Sequence, residues 1–266
     1  MFLHPNDVVR DVGRRMSPVV GAAASLAVSS AAWSVDATPS SCSARSGTTT
    51  ARVIELHTSE GCNSCLPADR WLSRLAPEME KNTDAVALAF HVDYWDRLGW
   101  KDRFASAAYT YRQSQQQASN DAKFSYTPQV VLDGLDNKDW PRTRLPLKAT
   151  TPAQARISMT REGKQFNASV TPAADGPTRL AAYWAVTELN HITSVKAGEN
   201  AGVTLKHDFL VREYKTIPAW SAKPDVPTLL SFEPSTPSDI NHARQVNLVV
   251  VDADTGRPVQ ALKLGC

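Results

Sequence analysis

Two cysteines separated by two residues are the most chemically suggestive feature of this sequence, in the segment Cys62-Asn63-Ser64-Cys65. A C-x-x-C forms either half of a zinc site or a redox pair. A zinc site needs a second cysteine pair or two neighbouring histidines, whereas the six histidines are scattered over positions 4, 57, 91, 191, 207 and 242. The spacing therefore favours the redox interpretation.

The chain has four cysteines, of which the other two are Cys42 and Cys266. Four cysteines allow three pairings, and Cys62–Cys65 is the easiest to close because only two residues intervene. The remaining pair would then join the two ends of the mature chain and contribute roughly 4–5 kcal/mol in the chain-entropy model. Two alternatives stay open: Cys42 and Cys266 are unrelated thiols, or Cys62–Cys65 is a fixed structural bridge.

The hydrophobic pattern predicts the elements that position the C-x-x-C. The first half alternates strands and helices, predicted over residues 51–58, 65–75, 85–92, 104–119 and 129–133. Cys62 then ends a strand, and Cys65 begins a helix whose N-terminus stabilises a thiolate. This order predicts an α/β domain with a βαβαβ core over residues 51–145 and an at least partly parallel sheet.

Pro128 precedes the third predicted strand and follows Thr127. A trans proline inside a sheet is unfavourable except at an edge. A cis Thr127–Pro128 bond would explain this position and would bring the loop against the cysteines. We expect Thr127 and Pro128 to align an incoming substrate strand through main-chain hydrogen bonds.

Three ionisable residues in the predicted strands are further candidates. Glu55 would have a raised pKa if buried and could accept the proton of Cys65, or it could lie on an exposed strand face. His57 and His91 end the first two strands and could complete a copper or zinc site with the two cysteines. We favour the simpler interpretation, in which both histidines are hydrogen-bonding residues at strand ends.

Acidic and aromatic residues follow the second strand, at Asp93, Tyr94, Trp95 and Trp100. They lie on the same sheet edge as the C-x-x-C, where α/β sheets bind ligands. They could line a groove for an extended peptide or pack a long loop over the sheet. We expect both roles, with packing dominant.

The second half has alternating apolar and polar residues separated by turns. Seven strands are predicted there, over residues 154–160, 165–171, 179–188, 203–217, 227–233, 246–252 and 258–264. This pattern predicts an all-β, sandwich-like domain over residues 146–266. His207 and Asp208 are interpreted as a structural hydrogen-bonded pair.

The first 37 residues have the layout of a secretory signal, with early arginines, an uncharged stretch over 17–35 and small residues near Ala37. This predicts a periplasmic or secreted protein with a tail over 38–50 and no membrane span in the mature chain. The alternatives are a disordered N-terminus on a cytosolic protein and a lipid anchor at Cys42. The net charge is only +2, which argues against a nucleic-acid partner.

Three sequence blocks together resemble a group of secreted bacterial thioredoxin-like proteins of unknown function. They are VIELHTSEGCNSCLPADRWLSRL, FHVDYWDRLGWKDRFAS and YTPQVVLDG, within residues 51–134, and weaker similarity covers 198–212. The resemblance implies a thioredoxin-like fold with Cys62 and Cys65 at the redox position and Pro128 at the cis-proline position. Two departures are Leu66, where the group often has proline, and Glu55, which is one residue further from the first cysteine than in thioredoxins.

These observations lead to two hypotheses of function. The first is an exported thiol–disulfide oxidoreductase that uses Cys62 and Cys65 without a cofactor. Its partners would be thiols or disulfides of exported proteins and a redox partner protein. The alternative is a module without turnover that binds a partner, or copper through both cysteines and His57 or His91.

Overall fold

The computed structural model describes residues 42–81, 84–143 and 150–266. Two helices occur in these ranges, α1 (Leu66–Lys81) and α2 (Ala107–Ser119). The same ranges contain fourteen strands: β1 (Cys42–Arg45), β2 (Arg52–Thr58), β3 (Ala85–His91), β4 (Gln129–Leu132), β5 (Leu135–Asp136), β6 (Ala155–Glu162), β7 (Gln165–Pro172), β8 (Arg179–Glu188), β9 (His191–Ser194), β10 (Thr204–His207), β11 (Leu210–Ser221), β12 (Thr228–Phe232), β13 (Arg244–Asp252) and β14 (Pro258–Leu264). The predicted signal segment and the predicted boundary between residues 145 and 146 lie outside the described residues.

One eight-stranded mixed sheet contains strands from both halves of the chain, in the order β14-β13-β8-β11-β3-β2-β4-β5. β3 is parallel to both β2 and β11, whereas β4 is antiparallel to β2. The predicted fold class is therefore wrong, because the described residues form one large mixed sheet and not a βαβαβ thioredoxin-like core followed by a separate sandwich-like domain. The residues of β3 are all buried, which requires packing against both faces of the sheet. Hydrophobicity predicts such burial but does not identify the pairing strand.

A smaller sheet, ordered β1-β6-β7-β12, packs against the β8–β13–β14 part of the large sheet. Alternating side chains of β6 and β7 point into this core, including Met159, which is fully buried. Trp184 on β8 and Leu248 on β13 fill it from the other side. The two sheets are also joined covalently, because Cys42 on β1 forms a disulfide with Cys266 beyond β14.

Helix α1 packs its apolar side against β2 and β3. Trp71, Leu72 and Met79 are buried there at helical spacing. Pro67 is accommodated because it lies in the first turn, where its missing N–H has no helical partner. The helix therefore starts one residue after its predicted start at Cys65 and continues six residues beyond the predicted end at residue 75.

A separate hairpin formed by β9 and β10 contributes to the same region. The segment predicted as one strand over 203–217 is divided into β10 and β11 by a turn at Phe209, whose φ is 55°. The hairpin loop contacts the segment after β3, because a Cβ on Gly198 would lie 3.2 Å from Trp100 Cβ. This close approach and its φ of +72° require glycine at position 198.

Within the described ranges, neither helix combines the length and apolar character needed to cross a membrane.

Candidate functional site

The C-x-x-C lies between the end of β2 and the start of α1. Cys62 and Cys65 form a disulfide, as predicted, and Asn63–Cys65 make one 3-10 turn leading into the helix. The N–H of Cys65 donates to the carbonyl oxygen of Cys62 at 3.2 Å. Both cysteines have 0% exposure. The pair therefore lies at a helix N-terminus, which favours a thiolate, but it is shielded from solvent in the closed state.

The loop before β4 reaches Cys62 through Thr127. The Thr127–Pro128 peptide bond is cis, as predicted. Thr127 Oγ1 donates to Cys62 Sγ at 3.5 Å, and Trp95 Nε1 donates to Thr127 Oγ1 at 2.8 Å. The Cβ of Trp95 would lie 3.5 Å from a Cβ on Gly61. The Trp95 side chain thus extends from Gly61, the residue before Cys62, to Thr127, which contacts the Cys62 sulfur.

Glu60 connects the C-x-x-C loop to two other parts of the chain. Its carboxylate accepts from Trp100 Nε1 at 2.8 Å and lies 3.2 Å from His207 Nε2. Its carbonyl oxygen accepts from Asn200 Nδ2 at 2.8 Å. Burial alone would raise the pKa of Glu60, but the hydrogen bond with His207 and others outweigh burial and lower it. Glu60 therefore holds the loop as a buried carboxylate.

His91 forms a buried ion pair beside this carboxylate. His91 Nδ1 lies 2.6 Å from Asp102 Oδ2, which also accepts from the N–H of Glu60 at 2.9 Å. Burial would lower the pKa of His91, but the charge of Asp102 outweighs burial and raises it. Burial would raise the pKa of Asp102, but the charge of His91 outweighs burial and lowers that pKa to about 2. The pair anchors the loop after β3 to the C-x-x-C loop.

Glu55 is buried on β2 and bound to Arg112 of α2. Arg112 Nη2 donates to Glu55 Oε1 at 2.6 Å, and Arg112 Nε donates to Oε2 at 3.0 Å. Tyr183 also donates to Oε1. Burial alone would raise the pKa of Glu55, as we expected, but Arg112 outweighs it and lowers the pKa. The expected raised pKa is therefore wrong, and the proposed role in accepting a proton from Cys65 stays a prediction.

His57 is fully buried and has no hydrogen-bond partner at either ring nitrogen among the described residues. Its ring stacks on Phe90 with 5.5 Å between the centroids. Burial lowers the pKa of His57 to about 4, so the ring is neutral at physiological pH. In the described ranges, no three His, Cys, Asp or Glu residues form a group suited to a metal ion. The copper alternative with His57 and His91 stays a prediction.

The predicted groove residues have different surroundings. Trp95 and Trp100 contact the C-x-x-C region through Thr127 and Glu60, as described above. Asp93 instead faces α2, where its Oδ1 accepts from Thr110 Oγ1 at 2.5 Å. Tyr94 is half-buried, and burial raises its pKa. The structure thus brings the two tryptophans to the cysteines and gives Asp93 a link to the neighbouring helix.

Sequence reasoning missed the four polar residues that hold this site, namely Glu60, Asp102, Arg112 and Asn200. Three of them lie in loops or at loop ends, where hydrophobic periodicity carries no signal. Arg112 lies in a helix predicted to be polar, and its burial depends on Glu55, 57 residues away. The one available signal was proximity in sequence, since Glu60 lies two residues before Cys62.

The fold and site together define a mixed-sheet protein with a buried C-x-x-C disulfide at a helix N-terminus. The chain belongs to the family described as "Protein of unknown function (DUF1223)", whose model matches residues 53–252. This result confirms the predicted membership of a family of unknown function.

Two solved structures are similar in fold. One is an X-ray structure of a protein from Agrobacterium tumefaciens, with a TM-score of 0.57 and 22% identity, covering 82% of this chain and 95% of that chain. The other is HBP35 of Porphyromonas gingivalis, with a TM-score of 0.55 and 13% identity, covering 82% and 76%. At these identities the similarity concerns the fold alone. No curated protein matches the chain significantly.

Proposed function

We propose that this protein is an exported thiol–disulfide oxidoreductase that exchanges electrons with thiols of exported proteins through Cys62 and Cys65. The observation that carries the proposal is the disulfide at the N-terminus of α1, with Thr127 Oγ1 3.5 Å from Cys62 Sγ. A helix N-terminus stabilises the thiolate that exchange requires, and a hydroxyl donor strengthens this effect. Two observations support an oxidising compartment: the predicted signal segment, and the pairing of all four cysteines of the chain in disulfides.

The exchange has two steps. A substrate thiolate attacks Cys62 Sγ, a mixed disulfide forms, and Cys65 leaves as the thiolate. A second substrate thiolate then attacks the first substrate sulfur in the mixed disulfide, and Cys62 leaves as the thiolate. The substrate gains a disulfide, the two cysteines gain two electrons and two protons, and a redox partner protein restores the starting state. The reverse sequence reduces a substrate disulfide.

In this proposal, access to Cys62 requires movement of the Trp95 side chain, which contacts the residues on either side of the Cys62 sulfur. Cys62 has 0% exposure, and the Trp95 indole is held in place by one hydrogen bond to Thr127. A net hydrogen-bond contribution of about 1 kcal/mol permits frequent opening. In this proposal, Trp95 moves away when a substrate approaches, and Thr127 becomes available to the incoming chain.

A redox titration of the purified protein tests the proposal. The protein is equilibrated in graded mixtures of reduced and oxidised glutathione, free thiols are alkylated, and the modified cysteines are located by mass spectrometry. We expect a Cys62–Cys65 midpoint above about −270 mV, which identifies an exchangeable pair. A pair that remains closed below about −300 mV would be structural and would refute the proposal. Cys42–Cys266 is the internal control, expected to stay closed throughout.

Two single variants add a mechanistic test. Cys65→Ser should accumulate a mixed disulfide at Cys62 with a disulfide-containing peptide, because the Cys62 thiolate attacks the peptide disulfide, one peptide thiolate leaves, and no resolving thiol remains. Cys62→Ser is the matched control and should accumulate none. Equal trapping by both variants would contradict the assignment of Cys62 as the sulfur that carries the mixed disulfide.

A further inference from the structure

A cleft of about 350 Å³ lies between α1 and β10, next to the C-x-x-C. Helix α1 lines it from Leu66, the residue after Cys65, to Arg74. All four residues of β10 line the other wall, although their side chains alternate between exposed and buried. Because both faces of the strand contribute, the cleft runs along its edge.

The edge of β10 that faces away from β9 is open. β10 pairs only with β9, and no other main-chain hydrogen bond to residues 204–207 occurs among the described residues. An open strand edge offers N–H and C=O groups to an added extended chain. The cleft can therefore accept a peptide strand along its length.

The opposite wall carries two arginines without partners. Arg70 and Arg74 are exposed, and neither forms an ion pair or hydrogen bond with any other described residue. The neighbouring Lys206 is paired with Asp208 at 3.0 Å, and the one carboxylate in the lining, Asp69, is held by Thr58 Oγ1 at 3.0 Å. The two free guanidinium groups thus give the cleft an unbalanced positive charge.

The spacing of these arginines matches an extended chain. Four residues of α-helix rise about 6 Å, so Arg70 and Arg74 project from positions one turn apart on one face. Alternate side chains on one face of a strand are about 6.7 Å apart. Carboxylates at positions i and i+2 of an extended segment would meet the two arginines while its main chain pairs with β10.

We infer that this cleft is a docking site for an extended acidic segment of the protein on which Cys62 and Cys65 act. The inference rests on the proposed exchange function for the identity of that protein. The position of Leu66 places the docked segment one residue from the disulfide along α1, so binding raises the local concentration of a thiol carried by the same chain.

Binding of a labelled peptide to the oxidised protein tests the docking site. The probe is a cysteine-free peptide with alternating Glu and Val, and the comparison peptide has Lys in place of Glu. Fluorescence anisotropy at low ionic strength should detect binding of the Glu peptide only, and added salt should weaken it. Arg70→Gln/Arg74→Gln should weaken binding about fivefold or more, because two charge pairs are lost.

The matched control removes two exposed lysines elsewhere, as Lys123→Gln/Lys223→Gln. It should leave the affinity unchanged, which separates the cleft from general electrostatics. Equal loss in this control, equal binding of the Lys peptide, or the absence of saturable binding would overturn the inference. Competition by free glutamate at the same concentration as the peptide would also overturn it, because it would indicate a small-anion site.

Two further measurements test the geometry and the link to exchange. N-methylation of alternate peptide nitrogens should abolish binding in one register and be tolerated in the other, whereas no effect in either register would exclude strand addition. A Glu peptide bearing a terminal thiol should reduce the Cys62–Cys65 disulfide about fivefold faster than its Lys counterpart, and Arg70→Gln/Arg74→Gln should remove this advantage. Equal rates for the two thiol peptides would contradict substrate docking.

The two proposals fail in different ways. A redox titration that shows an exchangeable pair, together with no peptide binding, overturns only the docking site. If the cysteine-free peptide binds but the Cys62–Cys65 pair stays closed throughout the redox titration, the exchange function is overturned. The occupant of the cleft is then not a substrate of exchange.

Discussion

Replacing Arg112 by leucine should leave Glu55 as an unpaired charge in the interior. Both residues are buried, and the guanidinium makes two hydrogen bonds to the carboxylate. The remaining donors to Glu55 are Tyr183 and, at 3.4 Å, Gln116. Neither carries a positive charge. His57 Nε2 lies 3.9 Å from Oε2, but burial lowers the pKa of His57 to about 4, so this ring is neutral near pH 7 and does not compensate the carboxylate as Arg112 does.

Breaking such a pair by removing one partner costs about 3–5 kcal/mol, because the remaining charge is desolvated without compensation. Domains of ordinary stability have a free energy of unfolding of about 5–15 kcal/mol. With a urea m-value of about 2–3 kcal/mol/M, Arg112→Leu should lower the urea midpoint by roughly 1–2.5 M. Arg97→Leu, at an exposed arginine, should change the free energy of unfolding by about 0.5 kcal/mol or less.

The stability difference between the wild type and Arg112→Leu should depend on pH, because the charge state of Glu55 differs between the two proteins. In the wild type the pKa of Glu55 is lowered, so its stabilisation is complete above the unfolded-state pKa of about 4.5 and is lost as pH falls through the folded-state value. In Arg112→Leu, burial dominates and raises that pKa, so protonation relieves the penalty. The difference in unfolding free energy between the two proteins should therefore be largest near pH 7 and shrink toward pH 4–5.

Urea unfolding followed by circular dichroism at both pH values measures this difference. Glu55→Leu/Arg112→Leu should recover much of the loss, because no charge then remains unpaired. A loss below about 1 kcal/mol at neutral pH, or a loss independent of pH, would refute the reasoning that Arg112 keeps Glu55 ionised. Such a result would also reopen the role of Glu55 as a proton acceptor.

Three other predictions concern the surroundings of the disulfide. Asp102→Asn should lower the pKa of His91, measured by NMR titration, because the main charge that opposes burial is lost and only the weaker influence of Asp69 and Glu60 remains. An unchanged pKa would contradict the ion pair. Cys42→Ser/Cys266→Ser should lower the free energy of unfolding by up to about 4–5 kcal/mol, while the C-x-x-C disulfide stays closed. Urea unfolding measures this change, and no loss of stability would contradict the chain-entropy argument. Trp95→Phe should speed reduction of the C-x-x-C disulfide by dithiothreitol about fivefold, because the indole hydrogen bond is lost. The rate is measured by alkylation and mass spectrometry, and an unchanged rate would show that Trp95 does not control access.

Local features of the chain were predictable because they depend on neighbouring residues. Periodicity placed the start of α1 and most strands within a few residues, and Pro128 before an apolar strand indicated the cis bond that the structure contains. The short loop between Cys62 and Cys65 indicated their disulfide, since closing a small loop costs little entropy. Short elements escaped this reasoning: β5 has two residues, too few to show a period.

The order of strands and the partners of buried charges were decided by tertiary structure alone. The apolar residues of β8 and β11 indicate that these segments form strands, but any strand with a compatible face can pair with them, so the junction of β11 with β3 could not be derived. Glu55 has the same local sequence whether it is exposed, protonated or paired. Its state depends on Arg112 and Tyr183, which lie 57 and 128 residues away and become neighbours only when the sheet closes over α2. The sequence by itself thus determined the chemistry available at the C-x-x-C, and the tertiary structure determined which charges and side chains surround it, because desolvation and pairing act through space.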